Sequence, residues 1–314
     1  MKKVLAIDGG GIKGAFPAAF LAALEEKWGQ PIGSYFDLVV GTSTGGIIAL
    51  GLGAGFSARD ILDFYRRYGP KIFPGSRSLR ELIAFVVSRY RASGLHNALV
   101  ETFGERRLGE SRLRLVIPSQ SLETGEVHIY KTAHHERFDT DYVARMVDVA
   151  LATCAAPTFF PAHRLPSGAT LIDGGLWANN PAAVATVEAL GVLKWAPGDV
   201  WLLSLSCTRS SLDMSLATSY STGKLYWGAK LLDFIGAGQS SAATGTAQLL
   251  LGHEKVFRIE PVVAEGRFPL DKHSEVEALA GLGATEARKA APALAPFFDA
   301  TADPFEPFHV VPAM

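Results

Sequence analysis

The segment Leu38-Val-Val-Gly-Thr-Ser-Thr-Gly-Gly-Ile-Ile-Ala-Leu50 decides the fold of this chain. Residues 38–40 form a short apolar run that is typical of a buried strand, and an apolar helix follows after a turn of small residues. The turn, Gly41-Thr42-Ser43-Thr44-Gly45, matches the G-x-S-x-G pattern, in which a tight strand-to-helix turn lifts a serine hydroxyl above the edge of a sheet. The segment therefore predicts an α/β fold and marks Ser43 as a candidate nucleophile, with a phosphate-binding turn as the alternative.

Short β-branched runs alternate with helical periodicity along most of the chain, which favours a sheet covered by helices on both faces. A helix is predicted over Ala15–Trp28, with Pro17 tolerated in its first turn and Gly29 at its end, and the spacing of apolar residues predicts another over residues 143–154. Asn180 is predicted to cap a further helix that has Pro181 at its first position and runs to about Leu190. The predicted strands are residues 4–7, 38–40, 113–117, 127–130, 171–172, 200–206 and 255–259.

Composition excludes several classes of protein. The 314 residues are 48% hydrophobic and 19% charged and include 32 glycines, which is too apolar for a disordered chain and too rich in glycine for a coiled coil. The formal net charge of −1 gives the whole molecule no basic attraction for nucleic acid polymers. Cys154 and Cys207 are too few for a disulfide framework and lack the spacing of a metal site, which suits a reducing compartment.

Targeting and membrane-spanning signals are not expected. Met1-Lys2-Lys3 resembles the start of a signal peptide, but Asp8 and three glycines cut the apolar run at residues 4–7. The longest apolar stretch elsewhere, at residues 47–56, is interrupted by glycine and has half of the roughly 20 residues that span a bilayer. We therefore predict no transmembrane helix and a cytoplasmic protein.

A second glycine-rich turn, Asp8-Gly9-Gly10-Gly11-Ile12-Lys13-Gly14, lies between the first predicted strand and the first predicted helix. Its bare backbone amides and the positive end of the helix dipole are suited to an anion. In an acyl-transfer enzyme, such donors stabilise the tetrahedral oxyanion.

The same turn also satisfies the dinucleotide-binding fingerprint, because Gly9, Gly11 and Gly14 have the G-x-G-x-x-G spacing. That fingerprint expects an acidic residue at the far end of the second strand, where it holds a ribose hydroxyl. Asp37 precedes that strand instead of following it. The context disfavours a dinucleotide site, and the motif alone leaves it open.

Asp173-Gly174-Gly175 follows another short predicted strand, which makes Asp173 a candidate base for Ser43. The alternative is an aspartate that only caps a turn. A serine enzyme more often uses a histidine base, and a histidine after Asp173 would reproduce the Ser, Asp, His order of α/β-hydrolases. The histidines that satisfy this order are His253, His273 and His309.

Taken in this order, the three motifs resemble those of the patatin-like phospholipases. Two longer segments also match that family: Cys154-Ala-Ala-Pro-Thr-Phe-Phe-Pro161 and Asp173-Gly-Gly-Leu-Trp-Ala-Asn-Asn-Pro181. The resemblance covers about residues 4–206 and implies a three-layer α/β/α sandwich with a mostly parallel central sheet. It also implies a lipid acyl hydrolase that cleaves ester bonds of membrane phospholipids without a cofactor or a metal.

The resemblance further implies a Ser-Asp dyad without histidine, in which Ser43 is the nucleophile and Asp173 the base. A carboxylate with its ordinary pKa near roughly 4 accepts a hydroxyl proton poorly, so burial must raise the pKa of Asp173. Lys13 stands where many members have arginine, which keeps the charge but not the bidentate geometry. The implied oxyanion hole is Gly9, Gly10, Gly11 and Lys13, and the remaining motif residues are Gly14, Gly41, Gly45, Gly174 and Gly175.

Charge is segregated along the chain. Between Arg59 and Arg114 there are twelve basic and six acidic residues, so this segment carries a formal charge of +6 and the remainder −7. We predict an arginine-rich helical insertion at about 57–111 that contacts an anionic membrane surface or a phosphate-bearing effector. A solvated helical face with its aromatic residues in the core is the alternative. The aromatic residues are Phe64, Tyr65, Tyr68, Phe73, Phe85 and Tyr90.

We expect residues 1–314 to form a single domain with a helical C-terminal extension at about 210–314. Trp227-Gly228, Gln239 and the segment Lys255-Val-Phe-Arg-Ile-Glu-Pro261 resemble bacterial members of the family. Some of these are antiphage effectors that a cyclic dinucleotide such as cGAMP activates. The resemblance therefore implies a cyclic dinucleotide as a candidate activator and peripheral action at the membrane.

Overall fold

The structure is a computed structural model, and it describes residues 1–75, 87–210 and 224–312, without the side chains of residues 224–230 and 232. Its helices are α1 (Ala15–Trp28), α2 (Thr44–Gly53), α3 (Ala58–Ile72), α4 (Ala92–Phe103), α5 (Met146–Thr153), α6 (Gly175–Ala178), α7 (Ala182–Val187), α8 (Lys224–Leu251) and α9 (Val276–Leu294). Its strands are β1 (Lys2–Ile7), β2 (Leu38–Gly41), β3 (Leu115–Ser121), β4 (Val127–Lys131), β5 (His163–Arg164), β6 (Thr170–Asp173), β7 (Val200–Leu205), β8 (Arg209–Ser210), β9 (Val256–Ile259) and β10 (Val262–Val263).

Eight of the described strands form one sheet in the order β5-β6-β3-β2-β1-β7-β9, with β4 paired to β3. The pairings from β3 through β2, β1 and β7 to β9 are parallel, whereas β4, β5 and β6 join by antiparallel pairings. Ile7, at the end of β1, lies in register with Gly41 on one side and Leu205 on the other. The glycine-rich turns that follow β1 and β2 therefore meet at the carboxyl edge of the sheet, where ligands of such folds bind.

Alternate residues of the central strands face two separate hydrophobic layers. Leu5 and Ile7 of β1 pack with α1, α2, α3, α4, α5 and α9. Val4 and Ala6, on the opposite face, pack with α7 and α8. This alternation follows from the two-residue period of a strand. The predicted three-layer α/β/α sandwich with a mostly parallel sheet is confirmed.

Two predicted helix boundaries differ from the structure by a few residues. The helix predicted over residues 143–154 begins at Met146, because Asp141–Val143 form a separate 3-10 turn that leaves Val143 40% exposed. The side chain of Asn180 accepts a hydrogen bond from the amide of Ala182, and α7 begins at that residue. A short π-helix then extends it over Glu188–Val192.

The described parts of the predicted insertion are mostly helical, and some of its arginines pair with acidic residues elsewhere in the chain. Arg66 forms an ion pair with Glu277 of α9, and Arg59 pairs with Glu26 of α1. The described aromatic residues are buried: Phe64, Tyr65, Tyr68, Phe73 and Tyr90. The buried aromatic residues fit the alternative of an aromatic core, and contact of this segment with a membrane or a phosphate-bearing effector stays a prediction. Arg77, Arg80, Glu81 and Phe85 lie outside the described residues.

The C-terminal segment contains the strand predicted at residues 255–259, as β9, together with the helices α8 and α9. Its strand β9 pairs with β7 in the main sheet, and α9 packs against α1, so the segment completes both the sheet and one helical layer. No helix in the described ranges is long and apolar enough to cross a membrane.

Candidate active site

Ser43 lies in a strained turn between β2 and α2. Its backbone φ of 55° and ψ of −122° fall in a region that residues other than glycine rarely adopt. The Ser43 amide donates to Thr153 Oγ1 at 2.9 Å, and the Thr153 hydroxyl donates to the carbonyl of Pro118 at 2.6 Å. The end of α5 therefore holds the turn in place through one buried hydroxyl.

The glycines of the turn allow the strand and the helix to approach each other. A methyl group on Gly41 would lie 2.1 Å from the carbonyl oxygen of Gly45. A methyl group on Gly45 would lie 2.2 Å from the carbonyl oxygen of Ile7 in β1. Both distances are far below van der Waals contact, so these positions require glycine.

Asp173 is the hydrogen-bond partner of the Ser43 hydroxyl. Ser43 Oγ donates to Asp173 Oδ2 at 2.7 Å, and the amide of Gly175 donates to Asp173 Oδ1 at 2.7 Å. Asp173 ends β6 and is only 4% exposed. Loss of hydration raises the pKa of Asp173 to about 6, against the opposing effect of the two hydrogen bonds.

The turn after β1, which approaches Ser43 at Gly9, presents two unoccupied amides. Within the described residues, the N–H groups of Gly10 and Gly11 have no acceptor, and Gly11 adopts a φ of 57°. The Gly9 amide instead donates to the carbonyl of Asn179 at 3.0 Å. The expectation that Gly9 also supplies an oxyanion donor therefore needs correction, because the loop after Asp173 occupies that amide.

Lys13 is a second correction to the expected oxyanion hole. Its backbone amide donates to the carbonyl of Gly10 at 3.1 Å, and its ammonium group donates to the carbonyl of Thr208 at 3.2 Å. Burial lowers the pKa of Lys13. The Lys13 ammonium group thus binds the Thr208 carbonyl and not the Ser43 hydroxyl. It lies on the wall of the cavity described below.

A cavity of about 710 Å³ contains both Ser43 and Asp173 on its wall. This volume is typical of sites for small organic ligands. One part of the wall is apolar and includes Ile47, Ile72, Phe73, Leu95, Phe159 and Phe160. Another part is polar and includes Lys13, Thr208, Arg209, Asp233, Glu260 and Glu265. An amphiphilic molecule therefore finds both an apolar and a polar surface beside the serine.

Arg258 fixes the start of the glycine-rich turn after β1. Its guanidinium group binds both carboxylate oxygens of Asp8, at 2.8 and 2.6 Å, and also contacts Glu260 at 2.8 Å. Arg258 was not among the predicted site residues, although a lone charge within the short apolar strand β9 is a signal for such a buried pair. This interaction ties the turn to the C-terminal part of the sheet.

The other candidate residues do not meet at this site. All eight histidines are in the described ranges, and none of them lines the cavity, including His253, His273 and His309. Asp37 receives hydrogen bonds from the Lys2 ammonium group and the Lys3 amide at the opposite end of β2, so it does not complete a dinucleotide site. No group of three or more His, Cys, Asp and Glu side chains in the described ranges is arranged to hold a metal ion.

Comparison with known proteins agrees with the motifs. The family model of the patatin-like phospholipases matches residues 5–186. A protein of Pseudomonas aeruginosa (strain BWHPSA011 / Pa011) named "cGAMP-activated phospholipase" is 34% identical over 293 residues, which cover 91% of this chain and 85% of that protein.

Two further relatives carry the same name. One, from Escherichia coli (strain TW11681), is 35% identical over 240 residues, which cover 72% of this chain and 67% of the relative. The other, from Vibrio cholerae serotype O1, is 37% identical over 203 residues, which cover 59% of this chain and 57% of the relative. The similarity thus extends beyond the residues matched by the family model.

Proposed function

The chain belongs to the patatin-like phospholipase family, and on that basis we propose that it hydrolyses membrane phospholipids through a catalytic dyad of Ser43 and Asp173. The observation that carries the assignment is the 2.7 Å hydrogen bond from the Ser43 hydroxyl to Asp173 Oδ2 on the wall of the cavity. A nucleophile and a base within hydrogen-bond reach are the minimum for covalent acyl transfer.

Acylation begins with the ionised carboxylate of Asp173. As Ser43 Oγ bonds to the ester carbonyl carbon, its proton passes to Asp173 Oδ2. The carbonyl oxygen becomes an oxyanion, which accepts hydrogen bonds from the free amides of Gly10 and Gly11. When the ester bond breaks, the leaving alcohol oxygen takes the proton from Asp173, and an acyl-enzyme remains on Ser43.

Deacylation reverses these roles with water as the nucleophile. Asp173 takes one proton from water as the water oxygen bonds to the acyl carbon, and the same amides stabilise the second oxyanion. The bond between the acyl carbon and Ser43 Oγ then breaks, and Oγ recovers the proton from Asp173. The products are a free fatty acid and the original enzyme.

The two surfaces of the cavity support an amphiphilic substrate. The apolar wall, which includes Phe159 and Phe160, suits an acyl chain, and the polar wall suits the glycerol and headgroup side of the ester. Since such substrates reside in a bilayer, we propose that the protein acts peripherally at a membrane surface.

Control by a cyclic dinucleotide is the second part of the proposal. The relatives from Pseudomonas, Escherichia coli and Vibrio are named cGAMP-activated phospholipases, at 34, 35 and 37% identity. Their names support a cyclic dinucleotide such as cGAMP as the activator of this chain and a role in antiphage defence.

Hydrolysis of mixed phospholipid vesicles, with and without cGAMP, tests both parts. We expect lipid mass analysis to show fatty acid release that increases with cGAMP and that is lost in Ser43→Ala and Asp173→Asn. A fluorophosphonate should label the parent protein at Ser43 and not the alanine variant. Hydrolysis retained by both variants would contradict the dyad, whereas activity that is unchanged across a panel of cyclic dinucleotides would contradict only the activation.

The histidine alternative is tested by single alanine changes at His253, His273 and His309. None of these side chains lines the cavity, so we expect kcat/KM to stay within about threefold of the parent value, because a lost general base typically costs 10²-fold or more. If one of these changes lowers kcat/KM by 10²-fold or more, that histidine, and not Asp173, is the base.

A further inference from the structure

Asn179 places a side-chain carboxamide beside both residues of the proposed dyad. A methyl group on Gly9 would lie 2.5 Å from Asn179 Oδ1 and 3.2 Å from Ser43 Cβ. A methyl group on Gly175 would lie 3.2 Å from the same Asn179 oxygen and 3.0 Å from Asp173 Oδ1. The carboxamide is therefore a close neighbour of the nucleophile on one side and of the carboxylate on the other.

The adjacent Asn180 shows what a structural asparagine does in this loop. Its buried carboxamide accepts from the Ala182 amide and donates to Thr244 Oγ1 and to Ser240 of α8. These contacts hold the loop against α7 and α8. Asn180 therefore provides the side-chain hydrogen bonds that anchor this loop.

The side chain of Asn179 makes no comparable contact. Its backbone carbonyl accepts from the Gly9 amide, but within the described residues its carboxamide has no hydrogen-bond partner. The residue is half-buried and lines the cavity. Because this carboxamide lies on the cavity wall and is not engaged by any residue that the structure describes, it is free to bind a molecule in the cavity.

We propose that Asn179 Oδ1 accepts a hydrogen bond from the hydrolytic water during deacylation. Before acylation, Asp173 Oδ2 receives the Ser43 proton, and Asp173 Oδ1 is occupied by the Gly175 amide. Once Ser43 is acylated, it has no proton to donate, so Oδ2 becomes available to water. Asn179 then supplies the second acceptor, which orients the water lone pair towards the acyl carbon. The inference rests on the proposed Ser43–Asp173 mechanism.

Asp173 and Asn179 each interact with one of the two protons of the hydrolytic water. As the water oxygen bonds to the acyl carbon, one proton of the water passes to Asp173, and the other stays on the oxygen, hydrogen-bonded to Asn179. Cleavage of the acyl carbon–Oγ bond returns the proton from Asp173 to Ser43. No charge passes to the carboxamide, so Asn179 acts by orientation.

Asn179→Leu is the sharpest test, because leucine has a similar size and no hydrogen-bonding group. With a p-nitrophenyl ester, whose leaving group needs no protonation, acylation should stay fast while deacylation slows about 10- to 100-fold, a typical effect of losing orientation. We expect a burst of p-nitrophenol close to one equivalent per enzyme and acylated Ser43 in the mass spectrum. Asn179→Ala provides the same readout if the leucine variant does not fold.

Asn97→Leu is the matched control, since Asn97 is exposed on α4 and does not line the cavity, and the kinetics of this variant should equal those of the parent. Unchanged kcat without a burst in the Asn179 variants would overturn the inference. An equal decrease in the burst rate and kcat would also overturn it, because the residue would then act in acylation. Failure of the parent protein to react with a fluorophosphonate at Ser43 would instead defeat the proposed mechanism itself.

Discussion

Ser43 and Asp173 are 130 residues apart in the chain, and the Ser43 hydroxyl donates a 2.7 Å hydrogen bond to the Asp173 carboxylate. The turn after β2 supplies the serine and the end of β6 supplies the aspartate. Burial raises the pKa of Asp173 to about 6, with no charged side chain among the causes. The protein environment thus converts an ordinarily weak base into one suited to near-neutral pH.

The pH dependence of kcat/KM should report this raised pKa. Because only the ionised carboxylate accepts the Ser43 proton, log kcat/KM should rise with a slope of one below about pH 6 and become level above it. Hydrolysis of a neutral p-nitrophenyl ester measures this without titration of a lipid headgroup. Activity that stays level down to pH 4.5 would contradict the raised pKa.

Asp173→Asn should stabilise the protein while it abolishes activity. An aspartate with a raised pKa binds its proton more tightly in the folded chain, so stability falls as pH rises from 3.8 to about 6 and is then constant. The shift corresponds to about 3 kcal/mol for the ionised form, and we expect the isosteric amide to recover about 1 to 3 kcal/mol at pH 8.

Denaturant unfolding of the parent and the Asp173→Asn variant at pH 4 and pH 8 measures this effect. The difference in the free energy of unfolding should be present at pH 8 and small at pH 4, where the parent carboxyl is protonated in the folded state. A difference that is the same at both pH values would show that ionisation is not its cause.

Thr153→Val should impair both stability and catalysis. The change keeps the side-chain shape but removes the only acceptor recorded for the Ser43 amide in the described residues. Leaving this buried N–H unsatisfied costs about 1 to 3 kcal/mol of unfolding free energy. Thr153→Ser retains the hydroxyl and should restore most of kcat, which separates the hydrogen bond from the packing of the methyl group.

The motifs were predictable from the sequence because they depend on local geometry. The run from Gly41 to Gly45 combines a strand, a turn and a helix within a few residues, and β1 and β2 contain short apolar runs that lead into glycine-rich turns. The close approaches at Gly41 and Gly45 explain why these positions cannot carry a side chain. These steric requirements are visible in the sequence because they restrict the positions to glycine.

Partners set by tertiary packing were not predictable. Thr153 contacts the Ser43 amide across 110 positions of the chain, and Arg258 contacts Asp8 across 250. The occupied Gly9 amide similarly depends on where the Asn179 loop folds. The ion pair between Arg66 and Glu277 likewise joins residues 211 positions apart, so a count of charges along the chain does not reveal it. Composition gives the number of charged residues but does not show which of them form ion pairs.

Ser43→Gly should be more stable than Ser43→Ala. Both variants lose the hydroxyl and its hydrogen bond to Asp173, but only glycine adopts a φ of 55° and a ψ of −122° without steric cost. Strain of this kind is worth about 1 to 3 kcal/mol, and the greater freedom of glycine in the unfolded chain offsets about 0.4 to 1 kcal/mol of it. We therefore expect the glycine variant to exceed the alanine variant by about 1 kcal/mol in denaturant unfolding at fixed pH. An alanine variant that is more stable than the glycine variant by about 0.4 to 1 kcal/mol would show that the turn stores no strain, because only the unfolded-state freedom of glycine would then separate the two.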